Sequence, residues 1–260
     1  MRKSVLMASL IFITALAAAA QKKPAVSHHV VDDSGKSGLA ENHLAEGVAP
    51  TLCQPCLFYG GDLNPADPNA DGMSDENTLL IAGGGSSTYA SFNVPNSLTA
   101  KVTGIFFNLQ ASANFDPRTA SYDIRTGISE GNGGSSIASG TANTVVALTG
   151  RSYGGLNEYT VLVRLPVAQI LGPGAYWFNV TPACTNGAKD GSCYQGRMYL
   201  SNTTQRTNNV RGEAQSIHSM FLNSAFFGSS WVNWCGPTLG FNGSECAGAS
   251  FGLTGTAENN

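Results

Sequence analysis

The chain has 260 residues, a formal net charge of −3, 31 glycines and only 12% charged residues. That charged fraction is about half the usual quarter, and Ser, Thr and Asn stand in its place. Such a surface suits an exported β protein better than a cytosolic enzyme. With no basic cluster after Lys22-Lys23, nucleic-acid binding by phosphate neutralisation is not expected. The length suffices for one large β domain or two small ones.

The first 20 residues read as a secretory signal peptide: Arg2 and Lys3, an apolar run from Val5 to Ala17, then a small-residue cleavage site at Ala18-Ala-Ala20. Its removal leaves twelve Lys and Arg against 17 Asp and Glu, a balance of −5. No other stretch is long and apolar enough to cross a bilayer, so no membrane span is expected in the mature chain. A secreted, extracellular or cell-surface location follows. Residues 21–56 are polar and nearly free of aromatics and predict a flexible N-terminal segment.

Six cysteines form three close pairs, Cys53/Cys56, Cys184/Cys193 and Cys235/Cys246. After export, disulfides are the default and nearest-neighbour pairing is the simplest of fifteen connectivities. Cys53-Gln-Pro-Cys56 also has redox CxxC spacing. That chemistry needs a helix N-terminus at the first thiol, whereas Pro50 precedes it and a strand-like Leu57-Phe-Tyr follows.

Next, Asp67, Asn69 and Asp71, followed by Gly72, give the D-x-N-x-D-G opening of a calcium loop. Alternate oxygens converge on one ion and the glycine permits the sharp turn. The Met73 carbonyl and Asp75 would complete a structural calcium site. The stretch resembles an EF-hand loop and the loops of thrombospondin type-3 repeats. It departs from the EF-hand at Thr78, where a bidentate Glu belongs. An Asx/Pro turn cluster is the alternative.

The β body follows. Thr88, Ala90, Phe92 and Val94 predict one inward face, closed by Pro95-Asn96. Ile105, Phe107, Leu109 and Ala111 predict the next, with Val102 and Phe106 pointing the other way. Tyr122, Ile124 and Thr126 continue, Gly131-Asn-Gly-Gly134 is a loop, and Thr144–Leu148 a short strand. Asn157–Pro182 gives the clearest signal. Tyr159, Val161, Val163 and Leu165 alternate with polar residues, and Gly172-Pro173-Gly174 separates them from Ala175–Thr181. This is a hairpin signal, with a single helical turn possible at Val167–Leu171. A last strand is expected at Ala249–Gly255. Strands at this spacing between Gly, Asn and Pro turns predict an all-β fold, an antiparallel β-sandwich of jelly-roll type with disulfide-clipped loops, over 57–257.

Leu165–Val180 and the closing Phe251-Gly-Leu-Thr-Gly255 resemble a loose group of exported bacterial β-sandwich ectodomains without assigned activity. The resemblance implies the fold and export, and it supplies no site residues.

No HExxH is present, and His218 is the lone histidine of the β body, so a Ser-His-Asp or Cys-His arrangement has one possible base. Asp123, Glu130, Glu158, Asp190, Glu213 and Glu245 are available as paired carboxylates, but spacing alone cannot pair them and most read as solvated outward positions, Glu158 lying opposite the apolar face. A polysaccharide-active hydrolase therefore ranks below a non-enzymatic role. Trp231, Trp234 and Trp177 are candidate platforms on which a sugar ring could stack, with burial in the core as the alternative. The expected function is binding of an extracellular glycan or protein surface, with self-association into a fibre or surface layer as the rival.

Overall fold

The computed structural model describes residues 53, 55–66, 72–74, 86–113, 115–183, 198–203, 221–224, 231–235 and 248–260. Residues 1–52, which include the expected signal peptide, His218 and the expected ligands Asp67, Asn69, Asp71 and Asp75 lie outside these, as do Cys184, Cys193 and Cys246. The described strands are β1 (Cys56–Tyr59), β2 (Gly72–Ser74), β3 (Ser86–Val94), β4 (Leu98–Ala111), β5 (Thr119–Thr126), β6 (Ser135–Tyr153) and β7 (Leu156–Leu171). They continue with β8 (Gly174–Pro182), β9 (Tyr199–Thr203), β10 (Phe221–Ser224), β11 (Trp231–Asn233), β12 (Gly248–Ala249) and β13 (Phe251–Asn259). No helix occurs among the described residues. Every pairing is antiparallel, so the all-β antiparallel expectation holds.

The strands make one curled, half-barrel sheet in the order β1-β13-β4-β7-β6-β5-β8-β3-β10-β11, with β9 joining β4, β2 and β12. β6 is the corner. Residues 135–143 pair with β5, and residues 144–153 pair with β7. Two arms result, β1-β13-β4-β7 and β5-β8-β3-β10-β11.

The arms meet over a common core. Ala90, Phe92 and Val94 of β3, Ile105, Phe107, Leu109 and Ala111 of β4, and Tyr159, Val161, Val163 and Leu165 of β7 all contribute, as the period-two pattern predicts. Phe251 of β13 anchors it, with ring centroids 5.0 Å from Phe58, 5.9 Å from Phe107 and 6.3 Å from Phe178. Phe58 also lies 5.1 Å from Phe92, tying one arm to the other. Close ring pairs of this kind contribute about 0.5–1.5 kcal/mol each beyond area burial.

Several expectations are corrected. β7 and β8 are not a hairpin: β7 pairs with β4 and β6, β8 with β3 and β5. Gly172-Pro173-Gly174 therefore carries the chain from one arm to the other, as the Pro95–Leu98 turn does between β3 and β4. Val167–Leu171 is strand, not helical turn. Its start is irregular because Val102 pairs with Gln169 while Gly104 pairs with Arg164, leaving residues 165–168 opposite Thr103. Pro166 lies in this bulge, where its missing N–H breaks no ladder bond. The same irregularity turns Val102 into the main core, whereas Phe106 does face the other way. β6 is far longer than Thr144–Leu148. Its first half is Ser-, Thr- and Gly-rich and shows no apolar alternation.

The outer face of the first arm is covered. Cys53 and Tyr59 pack on Phe106 and Leu162, so the segment 53–66 folds back over β4 and β7.

Candidate functional site

Alternation along β5 places Ala120 and Ile124 in the core and Asp123 and Arg125 on the outer face of the second arm. Asp123 gathers three donors. Its Oδ2 accepts from Tyr89 Oη at 2.9 Å and Arg125 Nε at 2.5 Å, and its Oδ1 accepts from Ser136 Oγ at 2.6 Å. Arg125 Nη1 donates to the Gly133 carbonyl at 2.8 Å. The guanidinium carbon sits 4.9 Å from the Trp231 ring centroid and 5.9 Å from that of Tyr89, and the two rings are 4.8 Å apart. Cation–π contacts of this geometry contribute about 0.5–1 kcal/mol or more as water is excluded.

The loop 127–134 is fastened to β11 from both sides. Gly131 N donates to the Trp231 carbonyl at 2.7 Å, and Asn233 N donates to Glu130 Oε2 at 2.8 Å. Gly133 lies against the indole, where an added Cβ would come within 2.4 Å of Nε1. Burial, then the neighbouring Asp123 charge, pushes the Tyr89 phenol well above its ordinary range. Burial alone would lower Arg125, but the hydrogen bond and charge of Asp123 outweigh it and hold its pKa above the usual value. The result is a neutral tyrosine beside a closed ion pair, with a partly exposed indole over it and exposed Ser129, Glu130 and Asn132 at its rim.

The three tryptophans thus part company. Trp177 packs on Phe221 at 6.3 Å and is buried, and Trp234 is buried in the main core. Of the three, Trp231 alone is partly exposed. The sequence reading set Asp123 among solvated positions and did not single out Arg125, although their i, i+2 spacing around Ile124 sets both on the outer face; Asp123 is instead held by Tyr89, Arg125 and Ser136.

A second cluster lies under residues 53–66 and overturns the reading of Glu158 as solvated. Glu158 is fully buried. Its Oε2 accepts from Thr149 Oγ1 at 2.8 Å and Arg151 Nε at 2.5 Å, while Arg151 Nη2 lies 2.8 Å from Asp62 Oδ1. Tyr59 donates to Asp62. Asn108 Nδ2 donates to Tyr59 Oη at 3.2 Å and Ser250 Oγ at 2.7 Å, and Thr160 donates to Asn108 Oδ1 at 2.6 Å. Burial first, and then Asp62, raises Tyr59 well above its usual range. Burial lowers Arg151, but Glu158 and Asp62 more than compensate. The two carboxylates are both held by one guanidinium under a protein cover. They serve packing rather than attack on a polymer.

Cys53 and Cys56 form a disulfide at the edge of the same cover, and Cys235 is disulfide-bonded to a residue outside those described. Met73 lies in β2, opposite Leu200 of β9. No group of three or more His, Cys, Asp or Glu side chains that could hold a metal occurs among the described residues. Two sequons, at Asn179 and Asn202, are buried and cannot carry glycan in the folded state. No helix among the described residues is long and apolar enough to cross a membrane. No family model, no curated protein and no solved structure matches this chain.

Proposed function

We propose that the protein is a secreted, extracellular β-sandwich module of jelly-roll type that acts by binding, and that its ligand is a glycan met at the Trp231–Arg125 surface. One observation carries this reading. Trp231 is the partly exposed tryptophan, and it is braced by Arg125, Tyr89 and Gly133 beside the polar side chains of loop 127–134. A rigid, partly exposed indole rimmed by hydroxyl, amide and carboxylate groups supports stacking of a pyranose face with polar reading of its hydroxyls. The disulfide at Cys53–Cys56 accords with an oxidising compartment.

A glycan array tests it. Wild type should bind at least one glycan class, and Trp231→Ala should lose that signal while Trp234→Ala, made in the core, should lower stability without changing glycan preference. Arg125→Lys keeps the charge and serves where Trp231→Ala folds poorly. An array with no signal, or one indifferent to Trp231 and Arg125, removes the reading.

The same proposal includes a structural calcium ion at Asp67, Asn69, Asp71, Met73 and Asp75, on the sequence pattern alone. Equal melting temperatures with calcium and with chelator would dispose of it.

A further inference from the structure

Loop 127–134 contains Asn132-Gly133, the one Asn-Gly step among the described residues. Asparagine is thermolabile. Its weak point is attack on the side-chain Cγ by the next backbone nitrogen, which a following glycine crowds least. The loop favours that attack. Asn132 is exposed, and its Oδ1 accepts from Gly134 N at 2.9 Å, an Asx turn. The ring closed by this bond runs through Asn132 Cγ and Gly133 N, so the side chain is folded forward over the attacking atom. Gly134 N–H also stands where negative charge gathers on Oδ1 during attack, as an oxyanion donor does. Gly133 N meets no acceptor among the described residues, so its proton leaves without breaking a hydrogen bond. Asn132 and Ser129 exchange both backbone hydrogen bonds at 2.9 Å, which holds the turn in place.

We infer that Asn132 is a site of spontaneous covalent modification, converting to aspartate and isoaspartate in the folded protein. Gly133 N gives its proton to hydroxide and bonds to Asn132 Cγ. Nδ2 takes a proton from water and leaves as ammonia, giving a cyclic succinimide. Water then opens the ring at either carbonyl, which yields aspartate or isoaspartate. No oxidant or reductant takes part. The isoaspartate product places an extra methylene in the main chain just before Gly133. That residue holds Arg125 Nη1 through its carbonyl at 2.8 Å and lies so close to Trp231 that an added Cβ would fall 2.4 Å from Nε1. Lengthening the chain there shifts Gly133 and loosens the Arg125–Trp231 contact. The conversion itself does not depend on the glycan reading.

Ageing the mature chain in mildly alkaline buffer, folded and in guanidinium, tests it. Trypsin releases residues 126–151, which also contain Asn143 before Thr144 as an internal control. Mass spectrometry should show loss of the amide at Asn132 with Asn143 intact, faster in the folded chain than in the unfolded one and rising with hydroxide. Isoaspartyl methyltransferase should label the aged wild type, and Asn132→Gln should stop the conversion. Tryptophan emission should shift with age in wild type and hold steady in Asn132→Gln. An Asn132 that keeps its amide in the folded chain overturns the inference. So does conversion no faster than in guanidinium, equal loss at Asn143, or emission that ages alike in wild type and Asn132→Gln.

Discussion

Arg151, from the end of β6, places Nε 2.5 Å from Oε2 of Glu158 on β7, and its Nη2 lies 2.8 Å from Oδ1 of Asp62 in the covering segment. One guanidinium thus binds the sheet to the chain that overlies it. Removing it should be worse than removing either acid. Arg151→Met leaves two carboxylates buried side by side and should cost about 3–5 kcal/mol. Glu158→Gln keeps an acceptor for Thr149 and leaves Arg151 with Asp62, so its cost should be smaller. Urea unfolding of the two variants checks the order, and an Arg151→Met protein as stable as wild type would refute it.

Tyr59 and Tyr89 should resist ionisation. Both are held above their ordinary value by burial first and by a neighbouring carboxylate second. The folded state keeps their protons above about pH 10, where the unfolded chain releases them. The stability linked to these protons is therefore complete below about pH 10 and is lost as pH rises toward the folded values. Ultraviolet difference titration should show at least two of the eight tyrosines ionising only on alkaline unfolding. Smooth titration of all eight near pH 10 would contradict this.

Phe251 is the ring on which both arms converge. Phe251→Ala should cost about 3–5 kcal/mol, measured by denaturant midpoint. Gly255→Ala on the same strand should also destabilise. Its φ is 144°, and an added Cβ would fall 1.9 Å from the Lys101 carbonyl oxygen, a backbone atom that cannot swing away.

The Cys53–Cys56 bridge closes a very short loop, for which chain entropy gives about 2 kcal/mol. A paired Cys53→Ser/Cys56→Ser variant should therefore lower the melting temperature modestly and leave the core rings in place. Complete unfolding on this change alone would show that the covering segment does more than the loop argument allows.

How much of this was legible depended on range. Tyr159, Val161, Val163 and Leu165 declared their buried face because alternation is a local property. Gly172-Pro173-Gly174 declared a change of direction but not a partner, since a turn signal does not say which sheet edge the next strand joins. Glu158 looked solvated because its cover, residues 53–66, arrives from the far end of the sequence. Residues 135–143 were unreadable as strand because water bathes much of their surface and small residues such as Ala138 and Ala142 face inward. Asp123 and Arg125 could have been placed on one strand face. Their meeting with Trp231 rests on β10 and β11 joining β3, which no local pattern encodes.

The glycan claim is met most directly by fluorescence. Because Trp177 and Trp234 are buried and Trp231 is partly exposed, a saturable change in emission on titration with oligosaccharides reports on Trp231. The account predicts such a change in wild type and its absence in Trp231→Phe at matched folded fraction. Emission that stays flat across oligosaccharides of every class, or a saturable response that survives Trp231→Phe, would contradict it.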